Sequence, residues 1–293
     1  MEIHRGPSPD NASERSARNV SAYGCLSVAW SRNEERLRLR QARYETTRLM
    51  RDKRSEELEA LEQVFDKSTL MVIYHMLDTG KLSKISGAVR SGKEAKIYCG
   101  IGPKKKEIAI KIYLTLSAEF KKGRLAYIEG DPRFERTRTD TRSLVYLWAQ
   151  KEFRNLKQAH DAKVRVPKPI SVQKNVLLME FIGKQGEPAP LLREIVLKKP
   201  DRTYRELIAF LRLLYQNAEL VHGDLSEYNI MIWHGHPVIF DVSQAVATEH
   251  PMADQLLMRD ILNLNRYFHQ IGVETESESD IYDQVVTTTV DQD

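Results

Sequence analysis

The sequence predicts an α+β fold of two lobes, a small β-rich lobe followed by a mostly helical one, with a cleft between them. Three observations lead there. Short apolar runs with strand character fall between Ile85 and Tyr113 and return at Val176–Ile182. Helical periodicity dominates from Thr203 onward. The 293 residues, at roughly 150 per domain, suit two domains or one bilobal unit.

Composition narrows the class. Hydrophobic residues at 41% and charged residues at 29% exclude a collagen-like or wholly disordered chain. A net charge of +4, from 45 basic and 41 acidic residues, is too small to argue for nucleic-acid binding by itself. Two cysteines, Cys25 and Cys99, build neither a disulfide framework nor a four-ligand zinc site, which points to a reducing, cytoplasmic setting. No apolar run approaches the roughly 18 residues of a membrane helix.

Along the chain, residues 1–30 are rich in Ser, Asn, Pro and Gly and read as a disordered leader. Residues 31–80 read as a charged helical extension, with nine Arg/Lys against four Asp/Glu between Ser31 and Arg54. That run suits a solvated helix, or an RNA contact as the sharper alternative. Val64, Phe65, Leu70, Ile73 and Leu77 then suggest a packing helix stopped at Gly80.

Residues 81–182 are the expected first lobe. Ile108, Ile110 and Ile112 face one way along Glu107–Tyr113, and Ala109, Lys111 and Tyr113 the other. The stretch from Ser117 to Thr141 is polar; Ser143–His160 returns to helical period, with Val145, Trp148, Ala149, Phe153 and Leu156 on one stripe. Residues 183–272 are the expected second lobe. It opens on a linker, Gly183–Pro190, and continues with a helix at Thr203–Ala218, a hairpin at Ile230–Val242 and a helix at Leu256–Phe268. Residues 273–293 read as an acidic, solvated tail.

The most specific segment is Val221-His222-Gly223-Asp224-Leu225-Ser226-Glu227-Tyr228-Asn229. An Asp and an Asn five apart, in a loop before a hairpin, are similar to the catalytic loop of protein kinases. Phosphoryl transfer gives the physical reason. Asp224 would accept or orient the proton of an attacking hydroxyl, and Asn229 would hold a metal bridging nucleotide phosphates. Asp241 ends the apolar strand Val238-Ile239-Phe240, where it reads as a second metal ligand or as a plain turn residue.

Lys111 reads either as an edge-strand lysine or as a phosphate-binding cation. The second reading needs a carboxylate, and Glu152 falls on the apolar stripe of its helix. A carboxylate buried there calls for a cationic partner. Ser91-Gly92-Lys93-Glu94-Ala95 has one glycine and is a weak motif alone, but its place before Lys111 makes it a phosphate cover, with Ser91 and Lys93 as contacts. Met179, Glu180 and Ile182 leave a strand where a hinge between lobes belongs, so their backbone would meet an adenine edge, or the run is a plain core strand.

Five segments occur in order: Ser91–Ala95, Ala109–Tyr113, Trp148–Leu156, Leu220–Asn229 and Phe240–Gln244. Together they resemble the RIO atypical protein kinases, the first RIO subfamily most closely, from Val64 to Gly272. The resemblance implies a bilobal protein-kinase-like fold with a β-rich N-lobe and a reduced helical C-lobe. It also implies a serine/threonine protein kinase with ATPase activity that uses ATP and Mg²⁺, with Mn²⁺ as an alternative, and that autophosphorylates. Lys111 would contact ATP, Asp224 would be catalytic, Asn229 and Asp241 would bind the metal, and Asp241 would accept a phosphoryl group. The implied partner is the precursor of the small ribosomal subunit, its protein and its rRNA. Ser117, Thr137, Thr139, Thr141 and Ser143 are candidates for the modified residue. One departure stands out: members carry a hydroxyl residue where this chain has Arg90. Only 52 residues follow Asp241, too few for a conventional peptide-binding platform. A small-molecule phosphotransferase and a nucleotide-gated scaffold are the rival readings.

Overall fold

The computed structural model describes residues 61–114, 123–134 and 140–287. The expected leader, most of the charged extension, and Ser117, Thr137 and Thr139 lie outside the described residues. The first helix, α1 (Lys67–Asp78), starts where the Asp66 side chain accepts the Thr69 N–H at 2.9 Å, and it ends beside Gly80 at φ 70°. It buries Val72, Ile73, Met76 and Leu77.

Three strands follow as antiparallel neighbours, β1 (Lys84–Ser91), β2 (Ala95–Ile101) and β3 (Glu107–Tyr113). The long helix α2 (Thr141–Asp161) crosses next, capped by Asp140. β4 (Pro169–Gln173) and β5 (Val176–Glu180) then complete a five-stranded sheet of order β1-β2-β3-β5-β4. The position of β3 at the centre explains its composition. Every residue after Glu107 is buried, so both faces of the strand are covered, with Tyr113 packed against Val145, Trp148 and Ala149 of α2.

The expected linker at Gly183–Pro190 is in fact a small hairpin, β6 (Gly183–Lys184) with β7 (Glu187–Pro188). Glu107 of β3 fastens it by accepting the Gly186 and Gln185 N–H groups at 2.7 and 3.0 Å. Gly183 is required here, because a Cβ at this position would collide with the Glu187 carbonyl.

The second lobe holds α3 (Pro200–Gln216), the short pair β8 (Leu220–Val221) and β11 (Val246–Ala247), the hairpin β9 (Ile230–Trp233) with β10 (His236–Ile239), and α4 (Ala253–Gln270). The expected acidic tail needs correction. Residues Glu278–Val286 form a helix, α5, whose Ile281 and Val285 are fully buried. Gln216 of α3 donates to the carbonyls of Val285 and Thr287, both at 2.9 Å. Acidic composition hid an apolar pair at i, i+4, the minimum needed to seat a short helix. Among the described residues, no helix is long and apolar enough to cross a membrane.

Candidate active site

Three elements bring three charged side chains together. Lys111 on β3 reaches Glu152 of α2 and Asp241, just beyond β10, with Nζ 2.8 Å from Glu152 Oε1 and 2.8 Å from Asp241 Oδ1. Lys111 and Glu152 are buried, whereas the Asp241 carboxyl is 40% exposed. Tyr113, two residues along β3 on the same face, donates its hydroxyl to the second oxygen of Glu152. Burial opposes the charge on Lys111, but the two carboxylates more than offset it and hold its pKa well above the usual lysine value. Burial pushes Glu152 up. Burial would raise Asp241 too, yet Lys111 and the Ser243 hydroxyl, donating at 2.8 Å, bring it down to about 2.

Asp241 itself has left-handed backbone angles, φ 58° and ψ 55°. For a residue with a Cβ that conformation costs about 1–2 kcal/mol, so the surroundings must hold it there.

The loop carrying Asp224 is held from below. Asp260, fully buried on α4, accepts the Gly223 and Leu225 N–H groups at 2.7 Å each, one on either side of Asp224. Arg259 donates to the Gly223 carbonyl, and Gly223 takes φ 77°, open to a glycine at little cost. Asn229 gives its amide hydrogens to the Asp224 carbonyl at 2.8 Å and to Asp224 Oδ2 at 3.2 Å. Gln244 adds a bond to the same oxygen at 3.1 Å. The Phe240 N–H donates to the Asn229 carbonyl at 3.0 Å, which sets Asn229 beside Asp241. Burial raises the Asp224 pKa.

Two adjoining cavities open between the lobes. The first, about 250 Å³, is apolar, with Val89, Ile97, Ala109, Met179, Ile182 and Phe240 in its walls. Glu180 also lines it; its side chain accepts the Lys168 N–H at 3.2 Å. The Ile182 carbonyl takes the Ala189 N–H at 2.8 Å. The second cavity, about 320 Å³, is polar and holds Lys93, Lys111, Asn229, Asp241 and Ser243. Arg90 lines both cavities and Ser91 lines neither. The strand register explains the exchange. An irregularity between Ala88 and Arg90 leaves Arg90 opposite Ile97, which faces the cleft, and Ser91 opposite Lys96, which does not. At this point of the strand Arg90, and not the expected Ser91, borders the cleft.

The sequence matches the RIO domain family over residues 96–281. The chain belongs to the RIO family. It is 39% identical over 230 residues to the RIO-type serine/threonine-protein kinase Rio1 of Haloferax volcanii, a match spanning 78% of this chain and 79% of that one. Against the Rio1 kinase of Methanocaldococcus jannaschii, identity is 37% over 236 residues and 80% of each chain. The human serine/threonine-protein kinase RIO1 is 41% identical over 225 residues, 74% of this chain but 39% of the human one. A solved Rio2 kinase from Chaetomium thermophilum shares the fold, with a TM-score of 0.59 at 22% identity, covering 75% of this chain and 67% of that one. This RIO protein is an atypical serine/threonine kinase of the Rio1 subfamily.

Sequence reasoning named no role for Asp260, Lys151, Asn155, Tyr113 or Gln244 of this RIO chain. Asp260 had a signal: it lies on the apolar stripe of its helix, between Leu257 and Leu264. A carboxylate on such a stripe must find donors.

Two buried groups give the loop opposite pH dependences. Burial lowers His222 to about 4 and raises Asp260 to about 7. A depressed histidine makes the unfolded chain bind more protons between about pH 4 and 6.5, so its contribution to stability grows as pH rises. A raised carboxyl makes the folded chain bind more protons between about pH 4 and 7, so its contribution shrinks as pH rises. Urea unfolding of His222→Gln is expected to show stability falling across about pH 4–6.5 relative to wild type. Asp260→Asn is expected to show it rising up to about pH 7. Parallel curves for all three proteins would refute the assignment.

Proposed function

We propose that this cleft transfers the γ-phosphoryl group of ATP, with Mg²⁺, to a protein hydroxyl or to water. The observation carrying the reading is Lys111 held between Glu152 and Asp241 at 2.8 Å each, at the wall of a polar cavity that continues an apolar one. The apolar cavity suits adenine, with Met179 beside the ring and the backbone of Glu180 and Ile182 at its edge. Lys111, Lys93 and Arg90 face the phosphates. The donor set fits the metal. Asn229 spends its amide hydrogens on Asp224, which leaves its Oδ1, and with the Asp241 carboxylate it forms the hard oxygen pair that Mg²⁺ takes alongside phosphate oxygens. An Mg²⁺ ion held by Asn229 and Asp241 would supply charge neutralisation to the nucleotide phosphates.

Asp224 then receives the proton of the attacking hydroxyl, oriented by Asn229 and Gln244. The Rio2 kinase of C. thermophilum was solved as an ADP/Mg²⁺-phosphoaspartate complex. By that precedent Asp241 is the candidate carboxylate here for a transient acyl phosphate, released to water as an ATPase cycle. The proposed setting is the cytoplasm, and the proposed partner is the small ribosomal subunit precursor.

The test follows label from γ-labelled ATP in the full chain with Mg²⁺, counting protein-bound label and released phosphate. Wild type is expected to turn over, and Asp224→Ala and Asp241→Asn to lose activity. Tight nucleotide binding without turnover would favour a nucleotide-gated scaffold. Wild-type turnover in either variant would move the chemistry off that residue.

A further inference from the structure

Helix α2 reaches the Asp241 region by two routes, indirectly through Glu152 and Lys111 and directly through two other side chains. Immediately before Glu152, Lys151 is fully buried, and the structure gives it no salt bridge among the described residues. Its Nζ instead donates to backbone oxygens, the Ser243 carbonyl at 3.2 Å and the Ala245 carbonyl. One turn further, Asn155, also fully buried, donates to the Val242 carbonyl at 2.8 Å and to the Ala245 carbonyl at 3.0 Å. Four hydrogen bonds from two side chains thus fall on three carbonyls of the single turn Val242–Gln244 and its cap, the turn that Asp241 opens in left-handed conformation.

The chemistry is matched. Carbonyls at the end of a helical turn carry partial negative charge and need donors, which the Lys151 amine supplies although burial lowers its pKa to about 7. An apolar residue of the same length would strip this donor from the Ser243 carbonyl and leave the Ala245 carbonyl with Asn155 alone. Asn155 is aimed in turn: its own Oδ1 accepts from Arg133 at 2.9 Å, and Arg133 is paired with the buried Asp131 at 2.6 Å.

We propose that Lys151 and Asn155 are positioning residues for Asp241, holding the turn after it so that its carboxylate meets the divalent cation that accompanies the nucleotide. The inference rests on the reading of Asp241 as a metal ligand. Neither residue touches substrate; both act through the backbone of residues 242–245. The consequence is specific. Loosening the turn weakens the coupling between metal and nucleotide while leaving metal-free nucleotide binding in the apolar cavity intact.

Calorimetric titration of ADP into the full chain, with Mg²⁺ and with EDTA, measures that coupling as the ratio of the two affinities. Lys151→Met and Asn155→Ala are expected to bind ADP in EDTA as wild type does and to lose about fivefold or more of the ratio. The half-saturating Mg²⁺ for turnover should rise in step. Asn155→Ala is the milder change and keeps the test open if Lys151→Met fails to fold. Variants that melt at lower temperature but keep the wild-type ratio would overturn the proposal, since scaffolding alone predicts that result. Asp241→Asn separates the two levels. If it loses the ratio while the clamp variants keep it, only the clamp fails; if it keeps the ratio, the metal reading fails and the clamp with it.

Discussion

Lys111→Met is expected to lower phosphoryl transfer by about a hundred- to a thousandfold, the scale seen when one preorganised electrostatic contact to a reacting oxyanion is removed. It should also destabilise the fold. Glu152 would remain fully buried without its cation, and breaking a buried pair costs about 3–5 kcal/mol. The low end applies here, because Tyr113 still donates to Glu152 and the Asp241 carboxyl keeps solvent contact. The loss should grow with pH. Glu152, already raised by burial, would take up a proton in the variant, and holding that proton becomes less favourable in alkali. The double variant Lys111→Met/Glu152→Gln separates the two effects. It should recover most of the stability and none of the turnover, as read by chemical unfolding and phosphate release. Recovery of turnover in the double variant would show that Lys111 serves only to neutralise Glu152.

Asp260→Ala should be nearly as damaging to turnover while sparing nucleotide binding. It strips the acceptor from two buried N–H groups that bracket Asp224, and each unpaired group costs about 1–3 kcal/mol. Asp224 would drift, and a displacement of about 1 Å at the reacting centre costs on the order of a hundredfold. The nucleotide cavities are lined by other residues, so KM for ATP should hold while kcat falls. Asp260→Asn should fall between, because its amide can accept one of the two bonds and not both. A fall in melting temperature with unchanged kcat would assign Asp260 to stability alone.

The parts of the site that sequence made legible are those whose signal is local. The five-residue interval from Asp224 to Asn229, the strand ending at Asp241 and the stripe carrying Glu152 each lie within one element. The parts that were hidden depend on partners far along the chain. Lys151 finds its acceptors 92 and 94 residues away, so its neighbours say only that a lysine sits near an apolar stripe. The hairpin at Gly183–Pro188 reads in sequence as a linker because two-residue strands carry no period; it persists through Gly183 and through Glu107, 79 residues from Gly186. Ser91 belongs by sequence to the segment that would cover the phosphates, but an irregular register in β1 turns Arg90 to the cleft instead.

The separations within the charged trio bear on synthesis. Lys111 and Glu152 lie 41 residues apart, whereas Lys111 and Asp241 lie 130 apart. A chain made from its N-terminus therefore holds both members of the first pair long before Asp241 has been added. That pair is one lysine and one glutamate, neutral in itself, and the sheet and helix bearing it are close in sequence. Asp241 joins a couple whose charges are already balanced, and it brings its charge to the solvent-facing side of the lysine. Within this trio, no stage of growth leaves Lys111 or Glu152 waiting on Asp241 for its counter-charge, so the long-range partner that completes the site is also the one the early pair can do without.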